Sequence, residues 1–239
     1  MIGFGTVINT AAILAGGLLG GLFGRFLHES AQDTLTKVCG VSTLFIAVTG
    51  ALEEMLRVEN GAVISSGSML VILCLAAGAM IGERMNIEGA FENFGQWLKI
   101  KSGNGKDKGF VNAFVTASLT VCIGAMAIVG SIQDGIAGDY SILATKAVLD
   151  LIIIMVMSCS MGRGAVFSAI PVAVFQGSIT ALAGLLRPLM TDAALSNLSL
   201  VGNVLIFCVG INLIWGKTVK VANLLPAIVI AVAAAFLPV

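Results

Sequence analysis

Long apolar stretches recur from one end of this chain to the other, and no polar block large enough to form a soluble domain interrupts them. A hydrocarbon core ~30 Å thick is spanned by about 20 helical residues at ~1.5 Å each. On that rule the sequence holds about eight candidate spans. They are Ile2–Phe26, Gly40–Leu56, Ser65–Gly82, Phe110–Ile132, Ser141–Met161, Ala165–Leu186, Ser199–Trp215 and Val219–Pro238. Only 11% of the 239 residues are charged and the mean hydropathy is +1.03. A soluble domain carries roughly 25% charged residues, so lipid is the solvent this chain suits. The expected fold is an all-α, polytopic transmembrane bundle, a single integral membrane domain over 1–239. The second and seventh spans are short, and the fifth and sixth are joined only by Gly162-Arg163-Gly164. Either pair also reads as a broken or re-entrant element, which leaves the count open by about one.

Composition narrows the function. Thirteen basic residues balance thirteen acidic ones, so no basic face is available for nucleic acid. Cys39, Cys74, Cys122, Cys159 and Cys208 lie in separate segments without a C-x-x-C pair, and His28 is the only histidine. That pattern argues against a metal site or a disulfide framework and for cysteine as a small apolar packing residue. Gly216-Lys217-Thr218 resembles the end of a phosphate loop, but Ile211 stands where its first glycine belongs. Gly3-Phe4-Gly5 lacks the third glycine of a dinucleotide fingerprint. No nucleophile–base pair is visible, so the expectation is a protein that is not an enzyme and takes no cofactor. The first basic residue is Arg25, which makes Ile2–Leu27 a retained first helix rather than a signal peptide.

Three stretches are amphipathic: His28–Lys37, Asn86–Lys101 and Arg187–Ser196. In the second, Ile87, Phe91, Phe94 and Leu98 recur at helical spacing opposite Glu88, Glu92, Asn93 and Gln96, as in a helix lying at the interface with Trp97 as a headgroup anchor. Residues 102–108 form a flexible polar loop. Basic residues cluster after the first, third, fifth and seventh spans (Arg25, Lys37, Arg84, Lys99, Lys101, Lys106, Lys108, Arg163, Lys217, Lys220), which puts those loops in the cytoplasm and both termini outside. Arg25–Ala51 also resembles Arg187–Leu213 at a constant offset, pairing Arg25 with Arg187, Gly40 with Gly202 and Phe45 with Phe207. As a true repeat, the units 1–83 and 164–239 would be inverted around a central helix pair, an architecture of secondary transporters.

The residues with chemical potential lie inside the spans. Lys146 and Asp150 are one helical turn apart, and Asp150 sits ~13 Å into its helix at 1.5 Å per residue. A midplane aspartate costs about 2.5–3.5 kcal/mol, so it must face protein or a water-filled cavity. It is either a ligand for a small solute or ion, a proton acceptor, or one half of a structural ion pair. Asn9, Asn112, Gln176 and Asn223 are candidate polar lining of a pathway, or inter-helix glue. Gln133, Asp134 and Asp139 fall in a glycine-rich link between the fourth and fifth spans, either a pathway mouth or a solvated turn. Gly16, Gly20 and Gly24 form a small-residue ridge that serves packing within the chain or a homo-oligomer interface.

Several of these residues also resemble a known family. Gly130-Ser131-Ile132-Gln133-Asp134-Gly135 with Gly138-Asp139-Tyr140, Lys146 and Asp150 are similar to the bacterial membrane family catalogued as domain of unknown function 554. So are Phe167–Val172 with Gln176-Gly177, Val221–Pro226, Gly5–Asn9 and Gly82-Glu83 to Ile87-Glu88. The resemblance covers nearly the whole chain and implies a multi-pass protein of the bacterial inner membrane, loosely described as a transporter, without a substrate or mechanism. The combined expectation is a secondary transporter or channel for a small solute or ion. The alternative is a non-transporting scaffold or accessory subunit in which the polar residues are structural.

Overall fold

In lipid the backbone must satisfy its own hydrogen bonds, and the apolar stretches accordingly fold as helices in a computed structural model that describes residues 2–59 and 61–237. Helices α1 (Phe4–Phe23), α2 (Glu29–Met55), α3 (Ser68–Met85) and α4 (Ile87–Lys101) are followed by α5 (Phe110–Cys122) and α6 (Ala125–Ala137). Then come α7 (Ser141–Met161), α8 (Ala169–Ala181) entered through a 3-10 turn at Arg163–Ser168, and the short α9 (Ala183–Leu186). α10 (Asp192–Trp215) and α11 (Pro226–Ala234) complete the chain. Between α2 and α3 a two-stranded antiparallel hairpin pairs β1 (Leu56–Glu59) with β2 (Ala62–Ser65). The fold is an all-α polytopic bundle.

Among the described residues six helices are long and apolar enough to cross a membrane. α5 and α6, bent by 62° at their junction, make a seventh crossing if the pair is one span, and Val221–Ala234 is a shorter apolar helix in the eighth expected place. Pro238, the expected end of that last span, lies outside the described residues, as do the side chains of Arg57 and Glu59. The sharp bend therefore falls in the fourth expected span, while the sixth is interrupted at Leu182, between α8 and α9. Gly124 holds φ at 147°, which interrupts the helix where the hydropathy runs on unchanged.

Two amphipathic stretches are not separate elements. His28–Lys37 is the start of the 27-residue α2, and Arg187–Ser196 divides between a 3-10 turn and the first turn of α10, which Thr191 caps by accepting the Ala194 N–H. The third stretch is a helix, α4, set off from α3 by Asn86 in the left-handed region (φ 51°), a conformation that asparagine tolerates better than most residues. Part of its apolar face packs on protein: Phe94 meets Phe114 edge-on, and Ile87, Phe91 and Leu98 join the core, while Trp97 is exposed.

Glycines fix how the helices run. Gly16, Gly20 and Gly24 lie against the backbone of Leu151, Met155 and Cys159, so α1 runs parallel to α7 in very close contact. Gly164 meets Phe110 and Gly135 meets Thr180, which sets the α8 arm parallel to α5–α6. Gly40, Gly50 and Gly210 pair α2 antiparallel with α10, and Gly78 and Gly82 pair α3 antiparallel with Ala227 and Asn223. The ridge of Gly16, Gly20 and Gly24 is thus occupied by α7 of the same chain, and a second copy would need another face.

Candidate functional site

Lys146 and Asp150 point from one face of α7 into protein. Lys146 Nζ donates to Asp150 Oδ1 at 2.8 Å, and Asn9 Nδ2 of α1 donates to Asp150 Oδ2 at 3.0 Å. Asp150 is 2% and Lys146 8% exposed, and Asn9 is fully buried. The contact with Asn9 follows from the α1–α7 ridge, which brings the two backbones close enough for a short amide to reach across.

This cluster borders a cavity of about 600 Å³ lined by α2, α7, α10 and the α5–α6 break. Thr120, Ile123, Gly124 and Met126 contribute from the broken span, Ser199 and Asn203 from α10, and Glu53 from α2. No side chain caps α6 at Gly124, so the orphan N–H groups of its first turn and their partial positive charge open onto this space beside Lys146. A second cavity of about 440 Å³ lies at the end of the bundle that carries α4 and Lys217. Its wall continues along the same two helices: Asn112, Thr116 and Leu119 of α5, and Val209 and Asn212 of α10. The two cavities occupy successive turns of α5 and α10. Leu119 and Val209 belong to the outer one, and Ile123 and Ile206 to the inner one.

A further set of buried polar groups belongs to α1 and α8. Thr6 Oγ1, Asn9 Oδ1, Thr180 Oγ1 and both amide atoms of Gln176 have no hydrogen-bond partner among the described residues. Leaving such a group unpaired costs about 1–3 kcal/mol. Other helical hydroxyls here, such as Thr10, Ser118, Thr120 and Ser178, bond to the carbonyl four residues back, whereas Thr6 and Thr180 make no such bond.

The other candidates are dispersed. Asp134 is fully buried, not at a solvated mouth: α6 runs through to Ala137, and Asp134 accepts the N–H groups of Gly3 at 3.2 Å and Gly5 at 3.0 Å at the start of α1. The orphan donors of a helix N-terminus are what draw the carboxylate in. Gln133, next to it, is exposed without a side-chain partner, and Asp139 is exposed and caps α7 through the Ser141 N–H at 3.0 Å. Asn112 is exposed and lines the outer cavity. Asn223 is buried in a knot that ties the α3–α4 corner to the turn before α11. Its Oδ1 accepts the Glu88 N–H at 2.7 Å and its Nδ2 donates to Glu83.

Glu88 is the member of that knot that amphipathic spacing missed, since it reads as one more solvated acid on α4. It is 5% exposed, accepts the Ala222 N–H at 2.9 Å and pairs with Lys217 Nζ at 3.0 Å. Partial burial pulls the Lys217 pKa down, but its hydrogen bonds to Glu92 and Glu88 outweigh that and hold it above the ordinary lysine value. No signal in the sequence around Glu88 points to these partners, which lie more than 120 residues further along the chain.

The family described as "Protein of unknown function (DUF554)" matches residues 4–236. The "Uncharacterized membrane protein YdfK" of Bacillus subtilis (strain 168) is 28% identical over 227 residues, covering 95% of this chain and 93% of that protein. The "Uncharacterized protein YqgA" of Escherichia coli (strain K12) is 28% identical over 231 residues, covering 95% of this chain and 94% of its own. No solved structure matches the chain.

Proposed function

The chain belongs to the DUF554 family of membrane proteins, and from its geometry we propose that it carries a small polar solute or ion across the bacterial inner membrane. The observation that supports this best is the pair of cavities on successive turns of α5 and α10, the inner one ending at a broken span beside Lys146 and Asp150. Interrupted helices at the midplane, with a half-helix N-terminus facing the site, are the usual way a membrane protein offers backbone charge to a solute. Leu119 and Val209 of the one space and Ile123 and Ile206 of the other are apolar residues on adjacent turns of α5 and α10, the place where a gate between the two spaces would act.

The helix directions add support. Parallel pairing of α1 with α7 and of the α8 arm with α5–α6, together with antiparallel pairing of α2 with α10 and α3 with α11, is the pattern that a two-fold axis in the membrane plane produces. It relates 1–83 to 164–239 with α5–α6 and α7 as the central pair, an inverted repeat whose interface passes through the candidate site. Rocking of one unit against the other would expose Asp150 alternately to the two sides. The scaffold alternative takes its support from Asn223, Asp134 and Glu88, all of which tie elements together.

Proteoliposomes holding the purified protein test the proposal by stopped-flow light scattering with cationic, anionic and neutral small solutes. The expected result is protein-dependent flux for one class, reduced at least about tenfold in Asp150→Asn, a loss of about 1.4 kcal/mol or more in effective barrier. Equal flux through wild type and folded Asp150→Asn would remove Asp150 from the pathway.

A further inference from the structure

Four buried oxygens without hydrogen-bond partners among the described residues lie on two helices that pack together, α1 and α8. α1 and α8 pack against each other, with Gly17 against Val166 near one end of the contact. Near the other end both helices meet α6 at adjacent residues: Asp134 takes the N–H groups of Gly3 and Gly5, and Gly135 packs on the Thr180 carbonyl. The two helices are therefore antiparallel, and this register brings Thr6 level with Thr180 and, one turn deeper, Asn9 level with Gln176. Thr6, Asn9, Gln176 and Thr180 are each at most 8% exposed, and all four carry unpartnered oxygens.

We infer that these side chains form a binding site for a monovalent alkali cation, between Asp134 and Asp150. The donors are hydroxyl and amide oxygens, hard and uncharged ligands that suit an alkali ion and not a transition metal. Asp134 supplies a carboxylate at one end without a lysine or arginine paired to it among the described residues, and Asp150, whose charge is balanced by Lys146, lies at the other. That arrangement gives a negative field without the several direct carboxylate ligands typical of Ca²⁺ sites. Asn9 links the two sites: its Nδ2 is bonded to Asp150 while its Oδ1 is free to face the ion. The cation would then couple to the solute site through one amide. The coupling role rests on the transport proposal above; binding of the ion does not.

The test is cation-specific stabilisation and direct ion binding of the full-length protein in detergent. Tm in NaCl or KCl is compared with Tm in choline chloride at equal ionic strength, and ²²Na⁺ binding is measured alongside. Wild type should show a saturable rise in Tm with Na⁺ or K⁺ and none with choline, as expected for a ligand held by the folded state alone. Gln176→Leu, which removes the unpartnered amide without leaving a polar group, should abolish the cation-specific rise while folding at least as stably in choline. Thr180→Val serves the same purpose if Gln176→Leu does not fold, and should weaken the cation effect at least about tenfold. Identical Tm in all three salts with no bound ²²Na⁺ means that the cage holds only water and overturns the site. An undiminished cation effect in both variants places the ion elsewhere and overturns it equally. Loss of the cation effect with intact solute flux would sink the coupling and leave the pathway standing.

Discussion

Gly20→Val unfolds the bundle, with an expected loss of about 3 kcal/mol or more, at or beyond the top of the range for overpacking a core. A Cβ on Gly20 would stand 2.0 Å from the Met155 carbonyl oxygen, and one on Gly16 would stand 2.3 Å from that of Leu151. Both obstacles are backbone, so no side chain can rotate away and the α1–α7 pair must separate. Separation withdraws Asn9 from Asp150, which leaves the carboxylate short of one of its two partners. Gly21→Ala is the control, because its Cβ would meet only Ser158 Oγ at 3.7 Å. Thermal unfolding in detergent should show a large drop in Tm for Gly20→Val and little change for Gly21→Ala. Equal tolerance of both would mean that the two helices are not in backbone contact.

The second large effect separates structure from function at the ion pair. Lys146→Met leaves Asp150 buried without its cation and should cost about 3–5 kcal/mol, the penalty for breaking a buried pair from one side. Replacing both partners, in Lys146→Met with Asp150→Leu, removes the uncompensated charge. Apolar replacement of a buried pair is often neutral or better, so the double variant should recover most of the lost stability. A protein that needs the pair only as glue would then work normally. A transporter would be folded and inactive, with no flux in proteoliposomes. Recovery of both stability and flux in the double variant would assign the pair to structure alone.

The Lys146–Asp150 pair was legible because a helix sets its own geometry: four residues is one turn, whatever surrounds it. The spans were legible for a similar reason, since lipid demands continuous helix from any long apolar run. The break at Gly124 was hidden because Ile123-Gly124-Ala125 stays apolar, and hydropathy is blind to backbone direction. Asp134 misled for the opposite reason. An acid between glycines reads as a solvated turn, yet here it answers the free N–H groups of a helix that starts some 130 residues earlier in the chain. Gln176 could be placed in the middle of a span from the sequence, but only the packed structure shows that its amide is buried without a hydrogen-bond partner among the described residues. The role of Glu88 likewise depends on Ala222 and Lys217, which no local pattern links to it.

Accessibility to water is the most direct measurement of the pathway. On a background with the five cysteines replaced, single cysteines are placed at Thr116 in the outer cavity and at Thr120 and Asn203 in the inner one, with Val174 on the exposed face of α8 as the lipid-side control. A membrane-impermeant thiol reagent is then applied to intact cells and to inverted vesicles. A transporter predicts labelling at 116 from the basic end, labelling at 120 and 203 from at least one side, and none at 174. If 116 labels while 120 and 203 stay unreactive from both sides, the interior beyond Leu119 is dry, and the proposal that a solute reaches Asp150 is contradicted.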